Sequence, residues 1–313
     1  MNYCYLFGPV PSRRLGRSLG VDLVPHKTCS LNCIYCECGR TTDLTLQRAE
    51  YVPLKQVISE LTDFLASEPV LDYITFSGAG EPTLHSGLGM VVDFLKTNFP
   101  AYPIALLTNG TLFYQAELRT EVAPIDLILP SLDAADDETF RKLNRPHPEL
   151  SVSQIILGLK ELKQIQRGNM WLEIFIVPGI NDHDEHLDHL KQAVHEIKPD
   201  LVQLNSLDRP GTEKWVKQAT YEHLQAIAQR LDWPTEIIAK IPKSAAGGLR
   251  QDDPTMSILA LIRRRPCTIE DLSQMSGIKP LEIQKYLAVL METGQIHARK
   301  MPRGLFYWAK ASR

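Results

Sequence analysis

The sequence predicts an α/β fold: a closed or partly open barrel of six parallel strands alternating with helices, a partial (β/α)6 barrel, followed by a small unit of different pattern. Three observations carry this expectation. Short runs of β-branched and aliphatic residues recur six times, stretches with helical spacing lie between them, and the residues suited to chemistry stand where the runs end. The chain has 313 residues, of which 44% are apolar and 23% charged. That is enough for two domains, and it excludes a mainly disordered chain. No stretch reaches the ~18 uninterrupted apolar residues of a membrane helix, so no membrane association is expected. Ser12-Arg-Arg-Leu-Gly16 superficially resembles a twin-arginine export signal, but Arg17 and Asp22 interrupt what would be its apolar region. A cytoplasmic protein is expected.

The strand runs lie at residues 19–24, 71–76, 104–107, 127–129, 172–177 and 201–204. Helical spacing covers 54–67, 88–98, 137–143, 152–166 and 185–197. Strands that alternate with helices imply a parallel sheet, because each return to the same edge needs a crossover. Such sheets carry their chemistry at the carboxyl ends of the strands, here 77–83, 108–110, 131–133, 178–182 and 205–209.

Residues 1–242 form this body, and the small polar segment 243–254, closed by Pro254, reads as a linker. Residues 255–313 predict helices at 255–265, 269–275 and 280–293, with Gly294 ending the third. A hairpin at 295–308 turns at 301–304. Ile283, Tyr286, Leu287, Leu290 and Met291 give the third helix one buried face. Three short helices and a hairpin predict a winged helix-turn-helix. From Pro254 onward ten Lys/Arg stand against four acids, so this unit carries +6 and leaves −9 on the rest of a chain whose total is −3.

Of six cysteines, Cys29, Cys33, Cys36 and Cys38 crowd into ten residues, a density typical of metal binding rather than of a disulfide scaffold. Cys29-Ser-Leu-Asn-Cys33-Ile-Tyr-Cys36 puts three thiolates on one loop after the first strand. Three thiolates suit three irons of a [4Fe–4S] cluster, leaving the fourth iron open to a small molecule. The competing reading is a zinc knot, which usually needs a second cysteine or histidine pair. Downstream there is only Cys267.

This C-x3-C-x2-C motif, with Tyr35 before its last cysteine, resembles the signature of the radical S-adenosylmethionine (SAM) superfamily. Ser77-Gly-Ala-Gly-Glu-Pro-Thr83 is similar to that family's Gly-Gly-Glu motif, with Ala79 in place of the first glycine. The resemblance covers roughly residues 10–209. It implies a [4Fe–4S] cluster on Cys29, Cys33 and Cys36, and SAM contacts at Tyr35, Gly78, Gly80, Glu81, Asn109, Ser131, Asp133 and Val177. It further implies reductive cleavage of SAM to methionine and a 5′-deoxyadenosyl radical, which takes hydrogen from a substrate, with a flavodoxin- or ferredoxin-like reductant as electron donor. Residues 7–20, Arg145-Pro-His147 and Leu204-Asn-Ser-Leu-Asp-Arg-Pro210 resemble an iron–sulfur oxidoreductase subgroup related to the wyosine-forming tRNA enzymes. Those enzymes carry further N-terminal cysteines, whereas only Cys4 and Cys38 are spare here.

Other residues have plainer readings. Arg13, Arg14 and Arg17 lie on a Gly/Pro-rich stretch and suit either a phosphate or carboxylate clamp or solvent. His183, His186 and His189 read as a solvated helix start rather than a metal stripe. Trp171 and Trp215 read as packing residues, and Cys267 as a buried small hydrophobe. The basic terminal unit suits presentation of an RNA or peptide substrate, DNA binding, or protein contact. The competing functional class is an iron–sulfur sensor whose winged unit regulates transcription. A sensor has no need of Gly80, Glu81, Asn109 and Ser131 at strand ends.

Overall fold

The computed structural model describes residues 3–12, 14–238 and 254–310. Its first elements are β1 (Leu6–Ser12), β2 (Gly16–Val21), and the two-residue strands β3 (Thr28–Cys29) and β4 (Asp43–Leu44). There follow α1 (Leu54–Leu65), β5 (Tyr73–Phe76), α2 (Leu88–Asn98), β6 (Ile104–Thr108), α3 (Ala116–Val122) and β7 (Leu127–Pro130). Next come α4 (Asp137–Leu143), α5 (Val152–Ile165), β8 (Asn169–Ile176), α6 (Asp184–Ile197), β9 (Leu201–Ser206), α7 (Tyr221–Leu231) and β10 (Thr235–Ile237).

The eight-stranded sheet runs β1-β2-β5-β6-β7-β8-β9-β10. Every pair is parallel except β1 with β2. The result is a mixed α/β fold around a parallel sheet. The six expected strands are its interior, β2 and β5 through β9. The two edges correct the expectation. β1 contains Pro9 and Pro11, which an edge strand tolerates because it need not donate on its outer side. β10 has three residues. The first interior strand also starts earlier than expected, at Gly16 rather than residue 19.

Alternation along the strands separates two apolar layers. Leu19, Val21, Ile74, Phe76, Leu106 and Ile128 join the main core with helical residues such as Val57, Leu61 and Leu95. Ala105, Leu127 and Leu129 point the other way and pack with Leu15, Tyr73 and Trp171. Burial on both faces is why these strands read as continuous apolar runs. Helix α5 starts with a reciprocal capping box between Ser151 and Gln154. It comes so close to the loop between β6 and α3 that a Cβ on Gly158 would lie 2.5 Å from the Phe113 carbonyl carbon.

The C-terminal unit comprises α8 (Pro254–Arg264), α9 (Ile269–Ser276), α10 (Pro280–Glu292) and the antiparallel hairpin β11 (Ile296–Met301) with β12 (Gly304–Ala309). The expected linker at 243–254 lies outside the described residues except for Pro254, which opens α8. Ile258, Ile262, Leu272, Ile283, Leu287 and Tyr307 belong to this unit's own core, against which Val10 of β1 packs. Ion pairs hold the unit to the body. Arg264 pairs with Asp22 and lies 3.5 Å over the Phe7 ring. Two more contacts cross: Arg209 of the body reaches Asp271 at 3.3 Å, and Arg303 of the terminal unit reaches Asp208 at 2.7 Å. Arg209, which is buried, also bonds Glu37.

Two outcomes test this packing. Gly158→Ala adds a methyl against backbone; the overpacking cost of ~1–3 kcal/mol outweighs a helix-propensity gain of about 1 kcal/mol, so urea unfolding should shift to a lower midpoint. Arg209→Met leaves Glu37 without its buried cation while Asp271 keeps Arg303, and a loss of up to about 3 kcal/mol should appear in the same titration.

Candidate functional site

The cysteine loop is anchored before any side-chain chemistry is considered. Ile34 is buried with Leu143, Phe175, Val177 and Val216. The N–H of Asn32 donates to the Asn144 carbonyl and that of Ile34 to the Leu143 carbonyl. The Tyr35 ring stacks on Phe175 with centroids 3.9 Å apart, and its hydroxyl donates to Asp133. These contacts place Cys29, Cys33 and Cys36 at the carboxyl ends of the parallel strands.

Each of the three sulfurs meets an N–H from a different segment. Cys29 Sγ accepts from Asn109 Nδ2 at 3.5 Å and from the Leu31 N–H at 3.5 Å. Cys33 Sγ accepts from Asn144 Nδ2 at 3.4 Å, and Cys36 Sγ from Lys27 Nζ at 3.1 Å. Hydrogen bonding from the Cys38 thiol, followed by the Lys27 ammonium, draws the Cys36 thiol down to about 5 against the opposing effect of burial. Burial, and then the charge of Glu81, pushes Cys29 up to about 12. Burial likewise raises Cys33. Ionising the last two needs cationic compensation from whatever they bind. Among the described residues no three His, Cys, Asp or Glu side chains converge on one metal ion. Three thiols on one loop, each with its own N–H donor, are a donor set that a [4Fe–4S] cluster would take.

The turn after β5 is stitched to this loop. Lys27 N–H donates to the Ala79 carbonyl at 2.8 Å, and Glu81 N–H to the Thr28 carbonyl at 3.0 Å. Gly78 has φ +152°, and a Cβ there would lie 2.5 Å from Asp22 Oδ1. Gly80 passes against the Thr28 carbonyl and Val24, with no room for a Cβ. The buried Glu81 carboxylate accepts from Thr83 N–H and Oγ1, from Thr108 Oγ1 at 2.6 Å and from Asn109 N–H at 2.7 Å. Burial raises its pKa, and these bonds oppose the rise. Asn109 in turn donates to Ser30 Oγ at 2.8 Å and accepts from Thr111.

Of the expected contact residues, Cys29, Cys33, Tyr35, Asn109, Ser131 and Asp133 line one cavity of about 70 Å³. Cys36 faces a larger one together with Ala79. The Asp133 carboxylate is occupied internally, by Tyr35, Asn144 Nδ2 at 2.8 Å and Phe175 N–H at 2.8 Å. Val177 is core, its N–H bonded to Asn181 Oδ1.

Several expectations are corrected here. Arg14 pairs with Glu173 rather than standing on an open loop, Arg17 lies within β2, and Arg13 is outside the described residues. His186 is not solvated: it is buried, with Nδ1 2.7 Å from Asp136 Oδ2. Trp171 packs as expected, but Trp215 is 54% exposed. Cys267 is buried, Cys4 is exposed, and Cys38 sits beside Cys36.

Sequence reasoning did not single out Lys27, Asn144 and Asn181. Asn181 Nδ2 donates to the carbonyls of Asp133 and Phe175, joining two strand ends. The only local signal for Lys27 was its place two residues before Cys29, and Asn144 is distant in sequence from the thiol it meets.

Comparison with known proteins agrees with this geometry. The description "Radical SAM superfamily" matches residues 23–190, more than half of the chain, and the chain belongs to that superfamily. Its members use a [4Fe–4S] cluster and S-adenosylmethionine. Within it the chain is of the UPF0026 family: a UPF0026 protein of Helicobacter pylori (strain J99) is 30% identical over 314 residues, 98% of each chain. A protein of Brachyspira hyodysenteriae named "GTPase Obg" is 34% identical over 293 residues; this is 93% of the present chain, which spans only 43% of that protein. A solved structure of TYW1 with a lysine-pyruvate adduct bound superposes with a TM-score of 0.54 at 18% identity, covering 72% of this chain and 75% of that one, and so shares the fold.

One titration checks the electrostatics of the loop. In metal-free protein Lys27→Met and Cys38→Ala each remove a group that favours the Cys36 thiolate, so each should raise its pKa. Iodoacetamide labelling of Cys36 followed against pH should show the inflection moving upward from about 5 in both variants.

Proposed function

We propose that this protein is a radical SAM enzyme in which Cys29, Cys33 and Cys36 hold a [4Fe–4S] cluster. The observation that carries this reading is the set of three strand-end thiols, each with its own N–H donor. When bound, the cluster and SAM supply reductive cleavage of SAM and a 5′-deoxyadenosyl radical that takes hydrogen from a substrate.

The chain's own residues orient and shield. Lys27 sets a positive charge at Cys36, while Asn109 and Asn144 donate to the other two sulfurs. Gly78 and Gly80 let the turn after β5 pack closely against Asp22, Val24 and the Thr28 carbonyl, and Ser131 lines the small cavity together with Cys29. Tyr35 stacked on Phe175, with Val177 behind, forms an apolar wall. Glu81 and Asp133, saturated within the protein, act by fixing the strand ends rather than by touching SAM through their carboxylates. A flavodoxin- or ferredoxin-like protein supplies the electron, and the site of action is the cytoplasm.

We read the division of the chain as 1–242, 243–254 and 255–313, the last a winged helix-turn-helix, from its order of three helices and a hairpin. The exposed side of α10 carries Leu281, Val289 and Met291 rather than a row of cations. That favours a cover over the catalytic face above a DNA-reading regulator.

Anaerobic incubation with SAM and dithionite, followed by chromatography, should yield 5′-deoxyadenosine. Cys29→Ala, Cys33→Ala and Cys36→Ala should each abolish it. Iron and sulfide should each approach about four per chain. About eight of each, falling on loss of Cys4 or Cys38, would replace this reading with a two-cluster one.

A further inference from the structure

A cavity of about 770 Å³ lies between the cysteine loop and the terminal unit. Its volume is in the range of small-molecule sites, ~300–1,000 Å³. The body contributes Cys36, Cys38 and Ala79 to its surface, and the terminal unit contributes the run Arg263, Arg264, Arg265 and the hairpin's Trp308 and Lys310. Four cations thus face it, Arg263, Arg264, Arg265 and Lys310, against two carboxylates, Asp22 and Glu37.

Both carboxylates are committed elsewhere. Asp22 is held by Arg264. Glu37 accepts from the N–H and the guanidinium of Arg209. Arg265 is left as a guanidinium on the cavity wall whose side-chain partner among the described residues is the Met275 thioether at 3.9 Å. Burial and the neighbouring Arg209 oppose its charge, and Glu37 supports it only in part. Arg265 is half-buried with no carboxylate bonded to it among the described residues, and its planar fork matches the oxygens of a carboxylate or phosphate. Arg263 and Lys310, both exposed, add positive potential beside it.

We propose that this cavity is a substrate chamber for a small anionic molecule whose phosphate or carboxylate is held by Arg265. This rests on the radical SAM reading, since Cys36 and Ala79 on the cavity wall are what join the chamber to that chemistry. The docking geometry favours a small molecule over a nucleic acid. Arg264 and Arg303 are already spent on Asp22, Asp208 and Asp271, which removes two of the cations that a phosphate backbone would need.

The full-length protein, reconstituted anaerobically and showing its cluster absorbance, is titrated calorimetrically with adenosine 5′-monophosphate, pyrophosphate and 2-oxoglutarate, with adenosine as the neutral control. One saturable site is expected for at least one anion, with adenosine at least tenfold weaker, and the preferred anion tells a phosphate from a carboxylate ligand. Arg265→Met should weaken that binding at least tenfold, and Arg265→Lys should recover part of it. Ala260→Phe, at an exposed position lining the cavity, should block it by bulk without touching the guanidinium.

Three results would overturn the proposal: no anion binding, anion binding that survives both Arg265→Met and Ala260→Phe, or an equal loss of SAM affinity in Arg265→Met, which would assign the guanidinium to SAM. Steeply salt-dependent binding of cell RNA that displaces the anion would replace it with a polymer substrate. If anion binding obeys these expectations while 5′-deoxyadenosine is never formed, the radical SAM reading fails and the anion site stands.

Discussion

The candidate site depends on one buried carboxylate. Glu81 lies in the turn after β5, and its oxygens receive donors from Thr83, Thr108 and Asn109, so one side chain ties this turn to the end of β6. An ionised carboxylate stripped of water is unfavourable by several kcal/mol unless donors replace the lost hydration. Four bonds do so here. Asn109, held through its own N–H, is then oriented to reach Ser30 and Cys29. The position of the first thiol is thereby inherited from the sheet through two polar side chains.

The interior of the sheet was legible because both faces of its strands are buried, which makes each a short apolar run. The edges were not. β1 carries two prolines and reads as a loop, and β10 is too short to stand out against the surrounding polar residues. Helices α3 and α7 escaped for a related reason: Ala116–Val122 buries only Leu118 and Val122, and Tyr221–Leu231 is polar over most of its surface. The cysteines were legible from spacing alone, since three thiolates within eight residues need no tertiary information. Their donors were not, because Asn144 meets Cys33 across 111 residues and nothing local marks it.

Net charge along the chain has a second meaning in the folded molecule. An excess of +6 at the C-terminal end suggests a face open to a polyanion, but charge counted along a chain does not distinguish solvated cations from paired ones. Asp22 and Asp208 of the body each take an arginine from the terminal unit, and Asp271 of that unit takes Arg209 in return. Part of the asymmetry between the body at −9 and the tail at +6 is thus complementarity between two halves of one molecule. It is expressed as intramolecular docking, whose strength declines with ionic strength only where the pairs remain wet.

The burial of Ile34 has a consequence for how such a protein survives in air. Many small metal centres fold only when their ion arrives, and unravel when it leaves. Here the residue between the second and third cysteines is anchored in an apolar cluster with Leu143, Phe175, Val177 and Val216, and neighbouring backbone bonds hold the loop against α4. Hydrocarbon and amide contacts thus hold the loop in addition to whatever its thiols bind, so oxidative loss of the inorganic part leaves these contacts of the scaffold in place.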